Sequence, residues 1–572
     1  MFKFRQIRFS LSLLGLLATL IVSNLNSAAQ TVGSPNTATA VPPVPHPDTK
    51  PCVVELFQND KFQNFNVQSF QFTPPAACPG PWGKVILQGH FFVTEGVQFD
   101  RTANVWLGGT NIYFGTTPEP RSSVSPHWHF ERDLTDYSSI FTAAQTGTVI
   151  LGNIVNSTYT GIIHGSVDLE FYPVAALEKA PVTADVVLPL SAGPTGGTAT
   201  LGSTASILSQ SFTMPTNVER AFLDVYAQSQ NADEFWYTCV PNDATSQLES
   251  CGGTAFRESE VTIDGTPAGV APVYPWIYTG GIDPFLWAPI PGVQTLDFVP
   301  YRVNLTPFAG LLSDGTPHTV ALSVFNANNY FEATASLLLY LDHGSTQVTG
   351  TTTRNSLAGA PSPRIIERLK NNGGGSVSGG TTAGTVSTTV PRQVSIAGFV
   401  NTSHGRVDTE VHQVIHFSNV QTFKIVGLIA VNPLATELQD ISQDTTISST
   451  TTVKSGGNAW VNVNQLEWPL TVDISFVTNA DGSFTQVTNI QQAYNRSDAR
   501  THNGVSTFSS KLSNAVSTQD TLFISAGFSI TGNQGQASSQ SYSYSDSLGN
   551  CYSKALTAAN SLLTSVTNGC AH

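Results

Sequence analysis

KVILQGHFFV (84–93), ANVWLGG (103–109), TVILGNIV (148–155) and SVDLEFYP (166–173) decide the fold of this chain. Each is a short run of alternating character broken by Gly, Pro or Asn. Such spacing reads as an antiparallel β-sandwich and not as strands alternating with helices. A second set follows in ERAFLDVYAQ (219–228), EVTIDG (260–265), YRVNL (301–305), HTVALSVFNA (318–327) and ATASLLLYLDH (333–343). The expected fold class is therefore all-β. It consists of two tandem jelly-roll-like β-sandwiches, residues 51–178 and 179–345, then a linker and a third β-rich region.

Outward from that pair the composition changes. Residues 346–390 are rich in Thr, Gly and Ser and read as a linker, with Ile365, Ile366 and Leu369 able to form a turn or two of helix. Residues 391–572 read as a C-terminal β-rich region with a turn at Asn479-Ala480-Asp481-Gly482, and Ser553 to Val566 as a possible helix. Residues 30–50 are Pro- and Thr-rich and read as an extended, loosely held arm. Residues 1–29 carry the marks of a signal peptide. Lys3, Arg5 and Arg8 lead, Leu11 to Val22 are apolar, and Ser27-Ala28-Ala29 is a small-residue cleavage signal. No later stretch is long and apolar enough to span a bilayer. The expectation is a secreted protein, extracellular or periplasmic, with no membrane association once the signal is removed, and a monomer.

The six cysteines fit export, because an even count in an exported chain favours disulfides. Of the 15 connectivities that six cysteines allow, the expected one joins nearest neighbours: Cys52 with Cys78, Cys239 with Cys251, and Cys551 with Cys570. Net charge is −14 and charged residues are 11% of the chain, against about a quarter usually. That balance argues against a nucleic-acid partner. It also predicts tolerance of acid, since few carboxylates can lose native partners on protonation.

Charges this scarce make their clusters informative. Gln98 to Arg121, QFDRTANVWLGGTNIYFGTTPEPR, holds Asp100, Arg101, Glu119 and Arg121 in one strand-and-loop unit. Strand alternation puts Arg101 with Ala103, Val105 and Leu107, and Asp100 with Asn104 and Trp106. If the apolar set faces the core, Arg101 needs an acidic or carbonyl partner, with Glu119 and Glu131 nearest in sequence. A structural Arg–Glu bridge beside a solvent-facing Asp accounts for this strand taken alone. Three further clusters lie in the second sandwich: DEFWY (233–237), FRESE (256–260) and TGGIDPFLWAP (279–289). Acids and amides beside aromatic rings suit sugars, which offer an apolar C–H face and a rim of hydroxyls. The competing reading puts Trp236 and Trp287 in the core. His127 with His129, and His412 with His416, share strand faces without a third ligand nearby, so no metal or other cofactor is assigned.

QFDRTANVWLGGTNIYFGTTPEPR, LGNIVNSTYTG (151–161), DEFWY, FRE and TGGIDPFLWAP, in this order, strongly resemble the peptide-N-glycanase A family. The likeness runs from about Cys52 to His343, and more weakly through SIAGFVNTSHGRV (395–407) and the terminal cysteines. The resemblance implies an acid-active glycoamidase that cleaves the amide between Asn and the innermost N-acetylglucosamine of N-glycopeptides or glycoproteins, leaving Asp. A shorter likeness links FDRTANVWL (99–107) to the peptide-N-glycosidase F enzymes, which are two jelly rolls with the site at their junction. That likeness makes Asp100 catalytic and Arg101 its companion. It offers Glu234, or alternatively Glu258, as a second catalytic carboxylate, and it puts a third acid's place at the neutral Asn153. Asp100 would act as general base on a water, and the second carboxylate would bind the glycan core and assist the departing amine. Arg101, Trp106, Asn153, Trp236, Arg257 and Trp287 are the expected substrate-binding residues, and Glu119 and Arg121 structural support. The alternatives are a secreted carbohydrate-binding β-sandwich without catalysis, an endo-acting glycoside hydrolase, and an adhesin or structural β protein.

Overall fold

The computed structural model describes residues 30–571 apart from Ser122, Ala358 and residues 428–435, so the leader segment 1–29 lies outside the described residues. The first sandwich contains β1 (Cys52–Phe62), β2 (Gln68–Phe72), β3 (Trp82–Val93), β4 (Thr102–Leu107), β5 (Thr110–Thr116), β6 (His127–Asp133), β7 (Gln145–Leu151) and β8 (Ile163–Pro173). One sheet has the order β1-β8-β3-β6 and the other β2-β7-β4-β5. First pairs with last, second with seventh, third with sixth and fourth with fifth, the pattern produced by rolling up one long antiparallel hairpin. Alternation builds the core between the sheets: Leu87 and Phe91 of β3 and Leu169 and Phe171 of β8 meet Val105 and Leu107 of β4 and Phe70 and Phe72 of β2.

The second sandwich repeats this winding. Its strands are β9 (Val186–Leu190), β10 (Ala199–Leu201), β11 (Leu208–Thr213), β12 (Val218–Ser229), β13 (Glu258–Ile263), β14 (Thr266–Pro272), β15 (Tyr301–Asn304), β16 (Pro317–Phe325) and β17 (Phe331–Leu341). The sheets run β10-β17-β12-β15, with β9 also on β17, and β11-β16-β13-β14. The sandwiches meet across the outer face of the β2-β7-β4-β5 sheet, and this is why β4 and β5 are buried on both faces. Phe298 N–H donates to Phe114 O (2.9 Å), Thr116 N–H to Thr295 O (3.0 Å), and the Thr279 hydroxyl to Thr117 O (2.7 Å).

The remainder is one twelve-stranded antiparallel sheet. It contains β18 (Thr349–Asn355), β19 (Arg364–Asn372), β20 (Thr381–Thr402), β21 (Gly405–Val426), β22 (Thr436–Ser455), β23 (Asn458–Glu467), β24 (Leu470–Thr478), β25 (Phe484–His502), β26 (Val505–Ile524), β27 (Ile530–Asp546), β28 (Cys551–Ala559) and β29 (Leu562–Ala571). The expected linker 346–390 is thus part of this sheet, and the segment with Ile365, Ile366 and Leu369 is strand β19 and not helix. Ser553 to Val566 is likewise a hairpin of β28 and β29, turning at Asn560-Ser561. The reason is pairing. Ladder partners along the whole of β20 override a composition that by itself favours no element.

One face of this sheet shares a continuous core with the second sandwich, where Phe417, Trp468 and Ile415 meet Trp236, Phe256, Tyr274 and Trp276. The arm 30–50 is extended but firmly held. Ala38 and Ala40 are buried; Ala38 N–H donates to Pro289 O (2.9 Å) and Ala40 N–H to the Gln540 side chain (2.7 Å). Disulfides join Cys52–Cys78, Cys239–Cys251 and Cys551–Cys570.

Candidate active site

At one end of the junction between the sandwiches, three chain segments bring acids together. Asp100 and Arg101 precede β4, Glu119 lies in the Pro-rich stretch after β5, and Glu234 follows the short 3-10 turn that ends β12. The segments are pinned mainly through backbone. Asp100 N–H donates to Glu119 Oε1 (3.2 Å), Arg101 N–H to Thr117 Oγ1 (2.9 Å), and Thr117 N–H back to Arg101 O (3.0 Å). A third wall is the loop 279–289. The Gly280 N–H donates to the Asp100 carboxylate. A methyl group on Gly280 would come within 2.3 Å of Glu119 Oε1 and 2.9 Å of Asp100 Oδ1, so any larger residue here must displace one or both carboxyl groups.

Burial raises the pKa of every acid here, but unequally. Asp100 is pushed up to about 6, with the Gly280 N–H and the Arg101 guanidinium opposing the desolvation. Glu234 is pushed up to about 7 by desolvation and by the Asp100 charge. Glu119 is pushed up to about 8, again by desolvation first and Asp100 second. Between pH 6 and 7, then, Asp100 is the ionised member and its two neighbours carry protons. One carboxylate base beside carboxylic acids is the division of labour that acid–base catalysis needs.

Several expected residues lie elsewhere. Arg101 makes no bridge to Glu119 or Glu131; its Nη2 donates to Gln98 Oε1 at 2.6 Å, and Gln98 is itself tied to Ile154 O and Gly161 O. Glu131 faces His129 and the arm. Glu258 is buried beneath the long sheet, 2.9 Å from Arg392, with Arg392 and Glu260 as its charged neighbours and not Asp100. Glu234 is accordingly the acid that the fold brings to Asp100. Arg257 is sealed in the interior by Asp233 (2.8 Å) and the carbonyls of Thr254 and Phe256.

Asn153 is also fully buried, donating to Phe62 O and Gly161 O. Trp106 packs under Gly196, Trp236 against Phe417, and Trp287 donates its indole N–H to Gly281 O (2.9 Å). These side chains cannot present a surface to a sugar, so they build the walls and do not line the opening. Phe99 and Tyr159 (ring centroids 5.2 Å apart), with Phe235, are the partly exposed rings near the acids. Arg121 lies over the Phe285 ring at 5.2 Å.

Glu119, expected as structural support, accepts the Asp100 N–H, and its carboxyl also lies within the acid cluster. Sequence reasoning passed over Gly280, although the Gly-Gly pair in the loop was a visible sign of close approach.

Two like-wound sandwiches thus bring Asp100, Glu119 and Glu234 together at their junction, a set of carboxyl groups able to do the acid–base chemistry of a hydrolase. The family described as Peptide N-acetyl-beta-D-glucosaminyl asparaginase amidase A matches residues 42–357, and the chain belongs to it. Peptide-N4-(N-acetyl-beta-glucosaminyl)asparagine amidase A of Prunus dulcis is 29% identical over 542 residues, covering 91% of this chain and 90% of that protein. Among solved structures, PNGF-II aligns over 51% of this chain and 66% of its own at 12% identity and a TM-score of 0.35. PNGase F of Flavobacterium meningosepticum aligns over 51% and 96% at 16% identity and a TM-score of 0.33.

Proposed function

We propose that Asp100 is the general base with which this amidase hydrolyses the bond between the Asn side chain and the innermost N-acetylglucosamine of N-glycosylated peptides or proteins. The observation that carries the proposal is the Asp100–Glu119–Glu234 cluster, in which one acid ionises before the other two. Asp100, held by the Gly280 N–H, takes the proton from a water that attacks the amide carbonyl. The tetrahedral carbon so formed bears an oxyanion, which the Arg101 guanidinium or a protonated carboxyl can stabilise. Glu234, still protonated, delivers its proton to the leaving glycosylamine, and the C–N bond breaks to leave Asp.

This assignment implies a mildly acidic window: activity falls below pH 6 as Asp100 is protonated, and above about pH 7 as Glu234 loses its proton. The three disulfides support a secreted protein, since such bonds persist in oxidising compartments.

Incubating a denatured N-glycopeptide with the enzyme at pH 6.5 and weighing the peptide tests the chemistry. Conversion of Asn to Asp is expected. A peptide that retains N-acetylglucosamine would mean a glycoside hydrolase, and an unaltered glycopeptide a binding protein.

A further inference from the structure

Loop 279–289 positions Gly280, and the long C-terminal sheet holds that loop. Its buried face sends Gln486 Nε2 to Ile282 O (3.1 Å), Thr518 Oγ1 to Leu286 O (2.8 Å) and Gln536 Nε2 to Ala288 O (3.1 Å). One further contact is of a different kind. Asp283 in the loop and Asp520 on β26 are both almost wholly buried, and their carboxyl groups face one another.

Each has one oxygen supplied with donors. Phe285 N–H donates to Asp283 Oδ1 (2.9 Å), and Asn533 Nδ2 to Asp520 Oδ1 (3.1 Å). The Oδ2 atoms of both have no donor. Two carboxylate oxygens brought together without a donor repel, whereas one proton between them makes a short charge-assisted bond. The charged group facing the pair is Arg121, which also faces Glu119. One shared proton leaves a single negative charge opposite that guanidinium. Backbone Thr521 and Phe285 supply the remaining polar contacts.

We propose that Asp283 and Asp520 form a proton-sharing clamp that locks loop 279–289 to the C-terminal sheet and so sets the Gly280 N–H against Asp100. The proposal rests on Asp100 being the base. Both acids are positioning residues. The sheet becomes a working part of the site, and the clamp opens when the shared proton is lost as pH rises. Desolvation and the neighbouring Asp520 charge raise Asp283 to about 7, close to Glu234, so two protons leave on the alkaline side of the activity profile.

The test is the full-length enzyme with Asp520→Asn and, separately, Asp520→Ala, assayed by kcat/KM on one glycopeptide from pH 4.5 to 9. An Asn amide donates to Asp283 at every pH, so D520N should turn a two-proton alkaline limb into a one-proton limb and move its midpoint up by about 0.4 pH unit. D520A leaves Asp283 Oδ2 without a partner and should lower kcat by tenfold or more, with a smaller change in KM. An alkaline limb of D520N superposable on that of the wild type overturns the clamp, whatever D520A does. Asp100→Asn, run in parallel, separates the two ideas. If D100N is inert while D520N keeps the wild-type limb, the clamp fails and the base assignment stands; if D100N is fully active, the base assignment itself fails.

Discussion

Asp100→Asn should stabilise the protein at neutral pH while removing its activity. The Asp100 carboxyl has a folded value near 6, against an ordinary 3.8. A group whose value is raised on folding binds its proton more tightly in the native state. Its full contribution is therefore present below pH 3.8 and is lost as pH rises through 6. At about 1.4 kcal/mol per pH unit, ionising Asp100 in place costs about 3 kcal/mol at pH 7.5. Asn has the same shape, still accepts from the Gly280 N–H, and never ionises. D100N should therefore melt higher than wild type at pH 7.5, by about 3 °C for a chain of this length, and within a degree or so of it at pH 4. Turnover should fall by about 10²–10⁴-fold or more, the usual worth of a general base. Calorimetric melting at the two pH values and glycopeptide mass measurement check this together. A D100N enzyme that melts lower than wild type by equal amounts at both values would refute the desolvation argument, and a fully active one the catalytic argument.

Three other outcomes follow from the same geometry. Gly280→Ala should keep the fold but cut kcat by roughly 10²-fold, as a 1 Å misplacement does, because the new methyl meets Asp100 and Glu119; a glycopeptide assay beside a melting curve shows whether activity falls without stability. Asp233→Ala removes the acceptor of Arg257 Nε and Nη2 and of the N–H groups of Asn328, Asn329 and Tyr330. It leaves a buried guanidinium uncompensated and should cost about 3–5 kcal/mol, seen as a lowered denaturation midpoint. A chain ending at residue 345 uncovers Trp236, Phe256, Tyr274 and Trp276, and should aggregate on expression; a soluble, active fragment would show the sheet to be dispensable.

The strands were legible because alternation and turn residues repeat every few positions, and Asp100 because charge is rare. What the sequence concealed was which side chains face each other across long separations. DEFWY looks like an acid–aromatic sugar site, yet it is a 3-10 turn whose alternate residues do not share a face, so Glu234 opens to the site while Trp236 points into the core. FRE holds its charges close together, but their partners, Asp233 and Arg392, come from other segments. Residues 381–390 read as the end of a Thr/Gly/Ser-rich linker by composition, and 391–400 as the start of the β-rich region. Every second residue from Val386 to Val400 is nevertheless buried, a strand pattern carried by Thr388, Arg392 and Gly398 as well as by Val and Ile. Hydrophobic alternation is broken there, because three of the eight buried positions are not hydrophobic.

The scarcity of charge then has a meaning beyond the surface. The buried face of the long sheet grips the catalytic half of the chain with amides and hydroxyls: Asn419 on Tyr237 O, Gln421 on Cys239 O, Gln492 on Pro275 O, and Gln486, Thr518 and Gln536 on the 279–289 loop. None of these donors titrates between pH 3 and 9, so the grip does not weaken in acid. Buried Asp342 is held below the ordinary range and loses its contribution in acid, but Asp100, Glu119, Glu234, Glu258, Asp283 and Glu437 have raised values and bind protons more tightly folded than unfolded. The sign is the same for each of the raised acids: protonation in mild acid favours the native state, and stability declines only as pH rises through their folded values. With few carboxylates, little stability should be lost in acid. Burial of those with raised values should add some, in the range where Asp100 begins to ionise.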